Sequence, residues 1–307
     1  MKRTAAAHVL LASLLWLVGS AGAEAAASSD TEFQSGFCKR PFSRGSLFRS
    51  SASMDLYNAA LWTGGVAAVE FGTSPKSRWT RRNDFDDELR SGLRGGSASA
   101  RNDASTASDV MLGLSAGVLP LLSIGKTLSE HDCHEAYDMA TDAAESIALT
   151  LFVTEATKAI AGRERPYVQG CDGSPPRDAS CGSDDRKQSF ISGHSSLAGA
   201  GAGLTCAYAI KRRTWGDEPA SRVAPCVLGV GAALTTGALR IVADKHWGSD
   251  VLVGLAVGAT VGYFDTWGPF DLLRFEVHSD DLAWDVRGIV MPYAADGLIG
   301  ARLSLSF

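Results

Sequence analysis

Surplus positive charge and long uninterrupted apolar runs are both missing from this chain. Its 307 residues carry 29 Lys and Arg against 34 Asp and Glu, a net charge of −5. Nucleic-acid binding draws on a basic excess that displaces phosphate counterions, so the balance argues against a nucleic-acid partner. The uncharged runs are Ala- and Gly-rich and mostly shorter than the 18 or so residues of a comfortable membrane span, and mean hydropathy is close to zero. These features favour a soluble or surface-attached bundle over an integral membrane protein, with segments 110–125 and 224–239 borderline on length. Two further signatures are incomplete. His131-Asp132-Cys133-His134 has no matching ligand set elsewhere, so it reads as a polar loop before a helix. The Gly-Ala repeat from Gly199 to Gly203 follows no strand, so it reads as helix packing and not as a nucleotide loop.

What is present begins with Met1-Lys2-Arg3, an apolar run around Val9 to Val18, and small residues ending in Ala21-Gly22-Ala23 and Ala25-Ala26-Ala27. That order is a secretory signal peptide, taken as 1–23, with export to the periplasm or cell envelope. Without Lys2 and Arg3 the charge becomes −7 (27 basic, 34 acidic). All six Cys lie beyond the signal, where an oxidising compartment allows disulfides. Cys171 and Cys181 close a short polar loop, Cys206 and Cys226 sit on successive helices, and Cys38 and Cys133 remain.

Residues 24–53 read as a loosely ordered lead-in. Apolar periodicity then predicts helices near 54–72, 109–126, 135–161, 195–211, 223–242 and 247–267. The charged stretch 73–107 reads as a solvated connection with a short helix around Asp86 to Leu93. Beyond Gly268 the pattern changes to strands, with Asp296-Gly297 as a hairpin turn. The expected fold is mainly α: a bundle of about six helices over 54–267, with a small β-rich appendage at 268–307.

Three short clusters carry the chemistry. They are Lys158 with Arg165-Pro166, then Ser192-Gly193-His194, then Arg240 with His246 and Asp250. Lys and Arg stay charged at ordinary pH, so three of them converging must face an anion, and two His can divide nucleophilic and acid work on it. Antiparallel packing of successive helices would gather these helix ends on one side of the bundle. Each fragment alone has a plainer reading: a snorkelling lysine, a helix stop, an N-cap turn, a helix N-terminal pair. Together, in order and spacing, the three point to one shared anion site.

The clusters resemble the type 2 phosphatidic acid phosphatase and vanadium haloperoxidase superfamily, whose signature is K-x6-R-P, P-S-G-H and S-R-x5-H-x3-D. Ile191 and Leu239 replace the Pro and Ser of that signature, while every charged or imidazole position is kept. The resemblance implies an acid phosphatase/haloperoxidase-like bundle and a phosphatase using no cofactor or metal, with a phosphorylated small molecule or lipid as substrate and a membrane surface as a possible contact. It implies that His246 attacks phosphorus, that His194 protonates the leaving oxygen and then activates water, and that Lys158, Arg165 and Arg240 bind the phosphate oxygens. Ser192 and the Gly193 N–H would complete the cradle. At i and i+4, Asp250 is expected to accept the Nδ1 proton of His246. The alternatives are a vanadium-dependent haloperoxidase, since vanadate fits the same groups, and an inactive envelope scaffold of the same fold.

Overall fold

The computed structural model describes residue 38, residues 51–72, 79, 83–171, 179–182 and 185–267, and the strand backbone at 274–277, 286–295 and 298–306. The expected signal peptide lies outside these residues, as does nearly all of the lead-in. The chain divides into two units, Met1–Thr266 and Trp267–Phe307. Among the described residues the first unit is all helical. Its helices are α1 (Ser51–Gly72), α2 (Asp84–Leu93), α3 (Ala98–Ser129), α4 (Cys133–Ala161), α5 (Gly193–Ile210), α6 (Pro219–Val242) and α7 (Gly248–Phe264). The second unit, by itself, has three strands paired antiparallel in the order β1 (Arg274–Val277), β2 (Val286–Ala295) and β3 (Leu298–Ser306).

The short helix expected around Asp86 to Leu93 is present as α2, while the rest of the connection expected at 73–107 departs from the sequence reading in its helical content after Ala98 and in its burial. Helix α2 is started by Asn83, whose side chain accepts from the Asp86 N–H. The connection also contains the first turns of α3, started by the Ser97 hydroxyl accepting from the Ala100 N–H. Its charges are not all solvated, because Asp86 is fully buried and Arg101 nearly so. Apolar periodicity misses this region because its buried positions are polar.

Helix α3 is partly inverted. It buries Ser105, Ser108, Ser115, Ser123 and Thr127, and exposes Val110, Val118, Leu121, Leu122 and Leu128. A six-residue π-helical stretch, Gly113–Val118, interrupts it where Ser115 turns inward to donate to the Ala198 carbonyl. Helix α6, packed beside α3, likewise exposes Val223, Val227, Leu228 and Leu234.

The centre of the bundle is α5 against α7, and glycine sets their spacing. An added Cβ at Gly258 would lie 1.8 Å from the Ser196 carbonyl oxygen, and one at Gly262 would lie 2.0 Å from that of Ala200. Gly254 meets Ser192 and Gly203 meets Ala259 and Tyr263, so the two helices run parallel with both N-termini at one end. Helix α6 runs against them, Gly229 facing Ala202 and Gly237 facing Ser195. Three disulfides brace the unit: Cys38–Cys133, Cys171–Cys181 and Cys206–Cys226. Such bonds persist in an oxidising, extracytoplasmic setting.

Candidate active site

The end of α4, the end of α6 and the starts of α5 and α7 meet at one end of the bundle. Lys158 lies in the last turn of α4, which Gly162 closes in the left-handed conformation at φ 54°. The Lys158 ammonium donates to Glu155 at 2.6 Å and lies 3.3 Å from where a Cβ on Gly193 would stand. Glycine at 193 therefore leaves room for the ammonium at the α5 N-terminus. Past Gly162 the chain carries Arg165, fixed by the Asp185 carbonyl and carboxylate, each at 3.0 Å. Arg240, in the last turn of α6, is buried and donates to Ser108 at 3.2 Å.

The two imidazoles differ. His246 is 2% exposed, in the turn between α6 and α7. Burial pushes its pKa well below the ordinary value, and Arg165, Arg240, Lys158 and His194 push it further. All three expected cations and the second imidazole are thus felt at this one ring. His194, with a third of its side chain exposed, meets the Asp109 carboxylate at 2.8 Å through Nε2. Desolvation and then Arg240 carry His194 down to about 4, against the hydrogen bond and charge of Asp109. Both rings are therefore neutral near pH 7. An anion entering among the cations would offset their repulsion and raise the affinity of both rings for protons.

One expected contact is different. Asp250 does not take the Nδ1 proton of His246: its Oδ2 lies 3.8 Å away, and Nδ1 instead faces the Ser189 carbonyl at 2.8 Å. The reason is competition for the carboxylate. Asp250 accepts from Arg163 at 2.5 Å, from the Ser189 hydroxyl at 2.5 Å and from the Trp247 N–H at 2.9 Å. Ser192 is also occupied, as the N-cap of α5, its hydroxyl paired with that of Ser195 at 2.9 Å. Trp247 packs, 4% exposed, its indole donating to the Glu164 carbonyl. The His131–His134 run supplies ordinary structure, with Asp132 capping α4 and Cys133 in a disulfide.

Four residues of this site lie outside the motif positions: Asp86, Asp109, Arg163 and Ser189. Arg163 sits inside the x6 stretch of the first cluster, and its place two residues before Arg165 is its one local signal. Asp86 and Asp109 are 72 and 49 residues upstream of Lys158, too far for any local spacing rule.

Residues 140–273 match the model of the PAP2 superfamily. A PA-phosphatase related-family protein of Dictyostelium discoideum is 25% identical over 170 residues, covering 47% of this chain and 50% of the relative. The chain thus spans about half the length of that curated relative. No solved structure matches the chain.

Proposed function

From a PAP2 superfamily domain at residues 140–273, we propose that this protein is a metal-independent phosphatase of the cell envelope that acts on phosphate monoesters or pyrophosphates, lipid phosphates foremost. The observation that carries this reading is the buried ring of His246, whose pKa is pushed down by burial and by Arg165, Arg240, Lys158 and His194. The Nε2 lone pair of His246 attacks phosphorus as the bond to the leaving oxygen breaks, giving a phosphohistidine. His194, protonated once phosphate has offset the cations around it, gives its proton to that oxygen. It then takes a proton from water, whose oxygen attacks phosphorus and releases His246. The three cations bear on the equatorial oxygens, where charge spreads in the transition state.

The preference for lipid rests on α3 and α6. Residues 110–125 and 223–239 carry no charge and many of their apolar side chains face outward. At 1.5 Å per residue each band is about 25 Å long, near the roughly 30 Å of a bilayer core. The bands begin beside Asp109 and end beside Arg240, both at the candidate site. A lipid phosphate headgroup held at the edge of the band would meet the cations. The fold attached to this proposal is the acid phosphatase/haloperoxidase-like bundle with its β-rich C-terminal appendage.

The test is a substrate panel on the purified full chain in mixed micelles with a chelator present. Long-chain lipid phosphates should show the highest kcat/KM, with vanadate inhibiting. Lack of turnover on every phosphate ester overturns the proposal, and halide oxidation with added vanadate would replace it with the haloperoxidase reading.

Asp109→Asn provides a pH test. The Asp109 carboxylate raises the His194 pKa, so its removal lowers that pKa further. If His194, protonated in the complex, is the acid, the descending limb of kcat should move to lower pH, measured on an alkyl phosphate. An unmoved limb would mean His194 is not the acid.

A further inference from the structure

Beneath the candidate site lies a buried arginine held between two buried carboxylates from distant parts of the chain. Arg163 is 2% exposed, and Asp86 and Asp250 are both at 0%. Its guanidinium donates to Asp86 at 2.6 Å, to Asp250 at 2.5 Å and to the Ser249 hydroxyl at 2.8 Å, and stacks 4.4 Å from the Trp79 ring centre. Asp86 also accepts from Asn83 at 2.7 Å and from the N–H and hydroxyl of Ser249, each at 2.8 Å. A carboxylate offers about four acceptor positions, and on Asp86 they are filled by protein donors. It is therefore built to hold, not to meet substrate.

What the cluster holds leads to one atom. Asp250 fixes the Ser189 hydroxyl at 2.5 Å, and the Arg163 carbonyl accepts from the Ser189 N–H at 3.0 Å. Ser189 is thus pinned on both sides, and its carbonyl faces Nδ1 of His246 at 2.8 Å. A carbonyl can only accept, so a neutral ring there carries its proton on Nδ1 and leaves the lone pair on Nε2.

Building on the reading of His246 as nucleophile, we propose that Asp86 and Arg163 are positioning residues that set the tautomer of His246 through Asp250 and the Ser189 carbonyl. Helix α2, which lies outside the matched domain, is then part of the catalytic apparatus: it supplies the distal carboxylate. Loosening the clamp lets the Ser189 carbonyl drift. His246 then spends part of its time with the proton on Nε2, where it cannot attack.

The experiment uses Asp86→Asn and Arg163→Lys in the full-length protein, with nitrogen-15 labelled histidine. NMR of wild type should show His246 as the Nδ1–H form, and both variants should show a mixture of forms. With p-nitrophenyl phosphate, kcat should fall about tenfold or more while KM and the vanadate inhibition constant stay within about twofold. His194→Ala should leave the His246 tautomer as in wild type. Folded variants with the wild-type tautomer and wild-type kcat overturn the proposal. Should Asp86→Asn fail to fold, Ser189→Ala keeps the carbonyl and removes only the link to Asp250. It should give the same mixture, and an unchanged tautomer there is equally fatal. If wild type hydrolyses no phosphate, the phosphatase reading fails, and the tautomer measurement still decides the positioning claim.

Discussion

His246→Ala should fold and lose phosphate turnover by about four orders of magnitude or more, since removing a nucleophile closes the covalent route altogether. The change is not free of structural cost. His246 is 2% exposed and its Nδ1 faces the Ser189 carbonyl. Losing the ring leaves a buried acceptor unpaired, at about 1–3 kcal/mol. The melting temperature should therefore drop measurably while the helical circular dichroism is kept. Rapid quench with radiolabelled substrate should trap a phosphohistidine in wild type and nothing in the variant. A folded His246→Ala protein retaining more than a small percentage of activity would place the nucleophile elsewhere.

Gly258→Val should have the largest effect on folding. Its Cβ would stand 1.8 Å from the Ser196 carbonyl oxygen and 2.8 Å from the Ala200 nitrogen, both backbone atoms of α5. Backbone cannot turn aside as a flexible side chain can, so α7 must move off α5. Overpacking usually costs about 1–3 kcal/mol and at times more; a clash with main chain places this variant at or above the upper figure. The same displacement carries Asp250 away from Ser192, whose N–H donates to the Asp250 carbonyl at 3.2 Å, so activity should fall with stability. Gly231→Ala is the control. Nothing lies within 4 Å of its added Cβ, and alanine in place of a helical glycine gains up to about 1 kcal/mol. Similar melting temperatures for the two variants would show that glycine does not set the α5–α7 spacing.

Most of the candidate site is legible in the sequence because its signals are local. Lys158, Arg165, Ser192, Gly193, His194, Arg240, His246 and Asp250 sit at helix ends, and helix ends are written in caps and stops such as Gly162 and Ser192. Six of the seven helices among the described residues follow from apolar periodicity, which needs only neighbours within two turns. Periodicity does not mark the burial of Asp86 on α2 or the early start of α3, because the positions buried there are Asp86, Arg101, Ser105 and Ser108. A pattern that equates buried with apolar passes over such positions.

Which residues carry fixed charge or an imidazole, and roughly where most helices start and stop, is written in the sequence alone, because those properties belong to a residue and its near neighbours. The fold alone decided the partners. Asp250 stands one helical turn from His246, yet it serves Arg163, Ser189 and Trp247 while the Ser189 carbonyl faces the ring. Asp109 reaches His194 across 85 residues, and Asp86 reaches Arg163 across 77. The buried carboxylates of Asp86 and Asp250 go to whichever donors the packed helices bring within 3 Å, since leaving any of them unpaired costs more than a strained spacing. That competition is settled only when α2, α4, α5 and α7 have closed on one another.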